Sequence, residues 1–209
     1  MARIKDLDRL QPEFRAKVDQ LMAALSGSPH KWRVFETLRP ASSKCGVANA
    51  ATSKTDPCVN PTRHAYGAAV DIVPHGHWSG PWKKASWPGW AELRKAAHAV
   101  GLDNDIAWDR PHVEVKRSQI AKWLQQDLGV TADGIWGPQS EQAAKAKAAE
   151  LGIQWRQPIP QTTPRVHWQT YNELRDAMRG NFTGKAIVGG SFVAILAVAG
   201  LLLFRGRLA

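Results

Sequence analysis

A chain of 209 residues with 44% hydrophobic residues can bury a real core and hold one domain with a smaller second one. Its formal net charge of +10 and pI near 10.0 call for a polyanionic partner. No helix-turn-helix, zinc-finger or RNA-binding signature accompanies that charge, so nucleic acid is set aside in favour of a bacterial wall or an anionic lipid surface. Ten Trp suit a carbohydrate-facing or wall-facing surface as well as a core.

In chain order, the charges of Arg3, Lys5, Asp6, Asp8 and Arg9 interrupt any apolar run at the start, so no secretory signal is expected there. Pro12 to Leu25 reads as an amphipathic helix, with Phe14, Val18, Leu21, Met22 and Leu25 on one stripe and Gly27-Ser28-Pro29 as its stop. Trp32 to Leu38 reads as a strand, and a polar loop bracketed by Cys45 and Cys58 follows. A disulfide between these two cysteines would tether the loop, contributing ~3 kcal/mol by loop-closure arithmetic, in an oxidising compartment.

The stretch Thr62 to Asp71 carries the first chemistry. Gly67, Ala68 and Ala69 let the backbone pass close to an ion, and Ala68 to Val73 reads as a short buried strand. Asp71 is then a carboxylate in an apolar strand, which a divalent cation compensates best. By itself this segment fits a strand-end carboxylate in water and an ordinary loop histidine equally well. The segment Trp108-Asp109-Arg110-Pro111-His112-Val113-Glu114 shifts the balance. Two His and one carboxylate suffice for a hydrolytic zinc site with a position left for water, which makes His64, Asp71 and His112 the expected ligands. Asp109, three residues before His112, is placed to act as general base without ligating. Glu114 shares the face of His112 on an extended strand, as a rival base, a partner behind that His or a substrate contact.

The pattern His64-x6-Asp71 followed by Asp109-x2-His112 resembles the zinc peptidases that group D-Ala-D-Ala carboxypeptidases with phage L-alanyl-D-glutamate endolysins, a fold shared with the hedgehog signalling domain. The resemblance covers about the first half of the chain. It implies zinc on His64, Asp71 and His112, Asp109 as catalytic base, and Arg39 as a substrate contact, since Val34-Phe35-Glu36-Thr37-Leu38-Arg39 matches the family's hydrophobic-Glu-x-x-Arg context. Arg39 could hold a stem-peptide carboxylate bidentately; on residue type alone it reads as a surface Arg. Thr62 stands where the family often has Ser, a hydroxyl for a hydroxyl.

His75 and His77 read as solvent-facing loop residues beside a ligand set already complete, the following stretch through Pro81, Trp82, Trp87, Pro88 and Trp90 as a cleft wall, and Trp90 to Val100 as a helix stopped by Gly101. Beyond Lys116, a helix from Ser118 to Leu128, a turn-rich Asp133-Gly134-Ile135-Trp136-Gly137-Pro138 and an Ala-rich helix ending near Leu151 resemble the small helical peptidoglycan-binding module of wall hydrolases. Ile135 and Trp136 are expected to plug its core. Residues 157–164 are Pro-rich and read as a linker, Val166 to Met178 as a juxtamembrane helix. Residues 186–204 run without a charge for ~28 Å of helix, near the ~30 Å hydrocarbon core, and read as a single transmembrane helix. The mean hydropathy of −0.36 makes that hydrophobicity local.

The expected organisation is therefore α+β: a small antiparallel sheet with flanking helices holding zinc (1–116), a helical wall-binding module (117–153), a linker and juxtamembrane segment (154–185) and a membrane span (186–204). The expected activity is zinc-dependent cleavage of peptidoglycan stem peptides at L-Ala-D-Glu. The alternatives are D-Ala-D-Ala carboxypeptidase activity or a non-catalytic, membrane-anchored wall binder. Arg156, Arg165, Arg175, Arg179 and Lys185 precede the span and only Arg205 and Arg207 follow it, so the positive-inside rule keeps the enzyme on the cytoplasmic side, away from peptidoglycan. A lytic phage enzyme seated in a virion membrane or the host inner membrane reconciles these features.

Overall fold

The computed structural model describes residues 5–37, 61–75, 84, 86–159 and 162–180. It is α+β, as expected: a three-stranded antiparallel sheet and five α-helices among the described residues. The strands are β1 (Trp32–Glu36), β2 (Ala69–Pro74) and β3 (His112–Glu114), in the order β1-β2-β3. The central strand β2 is buried along its whole length, which is why its sequence Ala-Val-Asp-Ile-Val-Pro shows an apolar run rather than alternation. A register shift between Val34 and Glu36 brings Glu36 opposite Asp71, and on the other side Asp71 pairs with His112.

Helix α1 (Pro12–Ala24) starts at a proline, whose missing N–H costs nothing in the first turn, and buries Phe14, Val18 and Leu21. Helix α2 (Gly89–Ala99) buries Trp90, Leu93 and Ala97. Helices α3 (Arg117–Asp127) and α4 (Pro138–Glu150) flank the turn-rich loop. Buried Gln125 organises that loop: its Nε2 donates to Asp133 Oδ1, the Ile135 carbonyl and Ser140 Oγ, each at 3.0 Å, and its Oε1 accepts from the Gly134 N–H at 2.9 Å. Trp136 is buried as expected, but Ile135 is 72% exposed and does not plug the module's core. The carbonyl of Ile135 is turned in to Gln125, while the side chain faces solvent.

Helix α5 (Trp168–Met178) lies in the segment read as linker and juxtamembrane helix, and it packs against α3, α4 and the 3-10 helix Arg63–Tyr66. Its Tyr171 and Leu174 join Phe14, Ile72, Leu93 and Ile120 in one hydrophobic core. Arg175 is fully buried at this junction. It donates to Asp127 Oδ2 and Glu13 Oε1, both at 2.7 Å, and to the Tyr171 hydroxyl at 3.1 Å, and its guanidinium lies over Trp123. Arg179 also pairs with Glu13 and Asp127. Two of the cations counted ahead of the apolar run thus serve packing between helices. None of the described helices is long and apolar enough to cross a membrane, and residues 186–204 lie outside the described residues.

Candidate metal centre

Three elements bring the site together. Asp71 and His112 stand directly opposite each other on β2 and β3, so their side chains leave the same face of the sheet. His64 comes from the 3-10 helix Arg63–Tyr66 that leads into β2. That helix ends at Gly67 in the left-handed region, φ 64°, where a Cβ would meet the Arg9 carbonyl oxygen at 2.8 Å. Only glycine allows both the turn and this approach, which the Gln11 N–H seals by donating to the Gly67 carbonyl at 2.8 Å.

The result is a nearly equilateral triangle of donor atoms. His64 Nε2 lies 3.2 Å from His112 Nδ1, and each of these nitrogens lies 3.3 Å from Asp71 Oδ1. All three residues are buried, at 0%, 5% and 6% exposure for His64, Asp71 and His112. Among the described residues this is the group of His and acidic side chains able to hold a metal ion.

The partners behind the rings decide what the triangle is. His64 Nδ1 lies 3.0 Å from the Thr37 carbonyl, which can only accept, so Nδ1 carries the proton and a neutral ring turns the Nε2 lone pair inward. His112 Nε2 lies 2.8 Å from Glu114 Oε2 and donates to it, so the neutral ring turns its Nδ1 lone pair to the same point. Three lone pairs at contact distance repel unless a cation lies between them. A proton can serve one edge of the triangle; a metal ion serves all three. Tetrahedral zinc with donors at ~2.0–2.1 Å places them ~3.3–3.4 Å apart, so these residues fit zinc, with one of four positions left over.

The electrostatics agree. Burial pushes the Asp71 carboxyl up, but where protons rather than a metal ion occupy the triangle, hydrogen bonds from His112 and His64 and the positive charge of the rings outweigh it and hold Asp71 far below the usual carboxylate range. Burial lowers His112, and the bonds to Asp71 and Glu114 with their negative charge overcome that, raising it to about 9.

Asp109 sits in the turn before β3. Its N–H donates to the Ile106 carbonyl at 3.0 Å and its carbonyl accepts from the His112 N–H at 3.1 Å. It stands outside the ligand group, as does Glu114. Exposed Trp108 precedes it on the same turn. Glu114 is buried with its carboxylate on His112 and forms an ion pair with Arg63 Nε at 3.2 Å, which ties it to the far side of the His112 ring. Arg39, Cys45, Cys58 and His77 lie outside the described residues; Glu36, three residues before Arg39, is buried opposite Asp71.

Sequence reasoning missed three supports. The Thr37 carbonyl orients His64, yet a backbone acceptor leaves no mark in a sequence. Buried Asn104 clamps the entry to β3, donating from Nδ2 to the carbonyls of Arg110 at 2.8 Å and His112 at 2.6 Å. Asn172 of α5 donates to the Ala65 carbonyl at 2.9 Å, next to His64. A search of protein-family models, curated proteins and solved structures finds no match to this chain.

Proposed function

We propose that the protein is a zinc-dependent peptidoglycan hydrolase that cleaves the stem peptide at the L-Ala-D-Glu bond. The observation that carries the reading is the triangle of inward lone pairs on His64, Asp71 and His112, with each imidazole's other nitrogen tied to an acceptor. The choice of substrate comes from the family resemblance of the surrounding sequence and from the resemblance of residues 117–153 to a wall-binding module. The apolar run 186–204 would tether the enzyme to a bilayer.

In this mechanism His64, Asp71 and His112 would hold the ion, while the Thr37 carbonyl and Glu114 would keep both rings in the ligating tautomer. Bound zinc supplies a Lewis acid for the scissile carbonyl and an acidified water. Asp109 takes the proton of the attacking water and returns it to the leaving amine. Arg39 would orient a carboxylate of the stem peptide, the role the family resemblance implies for it.

The test is digestion of purified peptidoglycan by the full-length protein, with chelator and after zinc is restored, followed by mass analysis of the fragments. New L-Ala carboxyl and D-Glu amino ends, lost with chelator and regained with zinc, are expected. Release of terminal D-Ala instead would assign carboxypeptidase activity. Zinc binding without soluble fragments would leave a wall-docking protein.

A further inference from the structure

We propose that α5 is a working part of the metal centre, with Asn172 and Tyr66 as positioning residues that hold the 3-10 helix Arg63–Tyr66 where His64 meets Asp71 and His112. The inference rests on the metal-site reading and adds a residue 108 positions beyond the first ligand.

The 3-10 helix is four residues long, too short to be stable alone. Its His64 must be kept against two other electron-rich atoms that repel it until a cation arrives. The restoring force therefore comes from neighbours. On one side the Thr37 carbonyl holds His64 Nδ1. On the other, α5 and the chain leading into it grip the residues that follow. Asn172 Nδ2 donates to the Ala65 carbonyl at 2.9 Å, and the Tyr66 hydroxyl donates to the Val166 carbonyl at 3.1 Å. The Tyr66 ring meets Tyr171 edge to face, with centroids 5.3 Å apart. Gln11 closes the ring of contacts, its Nε2 donating to Asn172 Oδ1 at 3.2 Å while its N–H holds the Gly67 carbonyl. Helix α5 can bear this load because Arg175 pins it to Glu13 and Asp127.

A brace of this kind preorganises the ligands, so the protein without zinc already stands near the bound geometry and less ordering is left to binding. Linkage makes the effect reciprocal: if α5 strengthens zinc binding, zinc must steady α5 by the same factor.

Zinc affinity is measured on the full chain by competition with a chromophoric chelator, for the parent, Asn172→Ala and Tyr66→Phe. Amide hydrogen exchange of residues 168–178 is followed with and without zinc. Each variant should bind zinc about fivefold more weakly while still melting cooperatively in chelator, as expected for one lost hydrogen bond. Zinc should slow exchange in α5 of the parent, and less so in Asn172→Ala. The proposal is overturned if both variants bind zinc within about twofold of the parent, or if α5 exchanges equally with and without zinc. Should Asn172→Ala fail to fold, Tyr66→Phe, which removes a single oxygen, decides. A parent that shows this linkage but releases nothing from peptidoglycan keeps the brace and loses the hydrolase reading; a parent that binds no zinc overturns both.

Discussion

His64 and His112 meet through unlike nitrogens, Nε2 of the first lying 3.2 Å from Nδ1 of the second, because the acceptors behind them sit at opposite ends of the two rings. The backbone carbonyl of Thr37 claims Nδ1 of His64, and the carboxylate of Glu114 claims Nε2 of His112. The ligand set is thus written into the partners as much as into the ligands. Replacing Asp71 with Asn exchanges the anionic member of the triangle for a neutral one of the same shape. Zinc affinity should fall by more than about a hundredfold, beyond the ~10–100-fold typical of an outer partner. Glu114→Gln should fall within that smaller range. Titration of both variants with zinc against a competing chelator checks the order.

Asp109 and Glu114 are both acidic neighbours of His112, and the two substitutions should separate. Asp109→Ala leaves the donor triangle untouched, so zinc affinity should stay at the parental value while peptide release drops ~10²–10⁴-fold, the range for a lost general base. Glu114→Gln should weaken zinc binding first, with activity largely restored by excess zinc. Initial rates of soluble peptide release at several zinc concentrations distinguish them. Full activity in Asp109→Ala would move the base role to Glu114.

The pH response follows from His112, raised to about 9, and Asp71, held low. Zinc must displace the proton of His112, so affinity should climb about tenfold per pH unit below 9 on this group's account and flatten above it. In chelator, the signs run differently for the two groups. The folded-state value of His112 lies above its unfolded value of 6.5, so its stabilisation is complete below 6.5 and fades as pH rises through about 9. That of Asp71 lies below its unfolded value of 3.8, so its share is complete above 3.8 and fades on acidification. Between them they favour a stability maximum at mildly acidic pH, with up to about 3 kcal/mol lost from His112 on the alkaline side. Urea unfolding at pH 5.5, 7 and 9.5 in chelator tests this, and zinc should reverse the alkaline loss.

The members of the buried donor triangle were legible because they carry chemistry that their surroundings make costly: Asp71 is a carboxylate in an apolar strand, and His112 follows a proline three residues after an acid. The buried strand β2 was legible as an unbroken apolar run, and the stripe of α1 through periodicity. What escaped were contacts made to backbone atoms. The Thr37 carbonyl, the two carbonyls held by Asn104 and the Ala65 carbonyl held by Asn172 belong to no motif, because any residue type could supply them. The place of α5 escaped for a related reason. The Pro-rich stretch 157–164 before it and the apolar run after it make residues 166–178 read as a juxtamembrane helix, and only packing reveals that Arg175 has acceptors on both α1 and α3. Apolar character alone puts Ile135 in the core, whereas Gln125 holds the loop by the Ile135 carbonyl and leaves the side chain in solvent.

Arg175 offers the sharpest test of whether the helices after β3 fold as one unit with the sheet. Its guanidinium is fully buried and bridges Glu13 on α1 to Asp127 on α3, and Met at this position would keep most of the bulk while stranding both carboxylates. Breaking a buried ion pair from one side costs about 3–5 kcal/mol, because the remaining charges lose their partner in a poorly solvated place. Arg179 also reaches both acids and retains part of the compensation, which places the expected loss at the lower end, about 3 kcal/mol. If α3 to α5 form an independent module, Arg175→Met should produce two unfolding transitions, of which only one moves. If they share the core with α1 and β2, a single transition should shift as a whole, and zinc should stabilise parent and variant alike. Calorimetry of both proteins, with and without zinc, reads the difference directly.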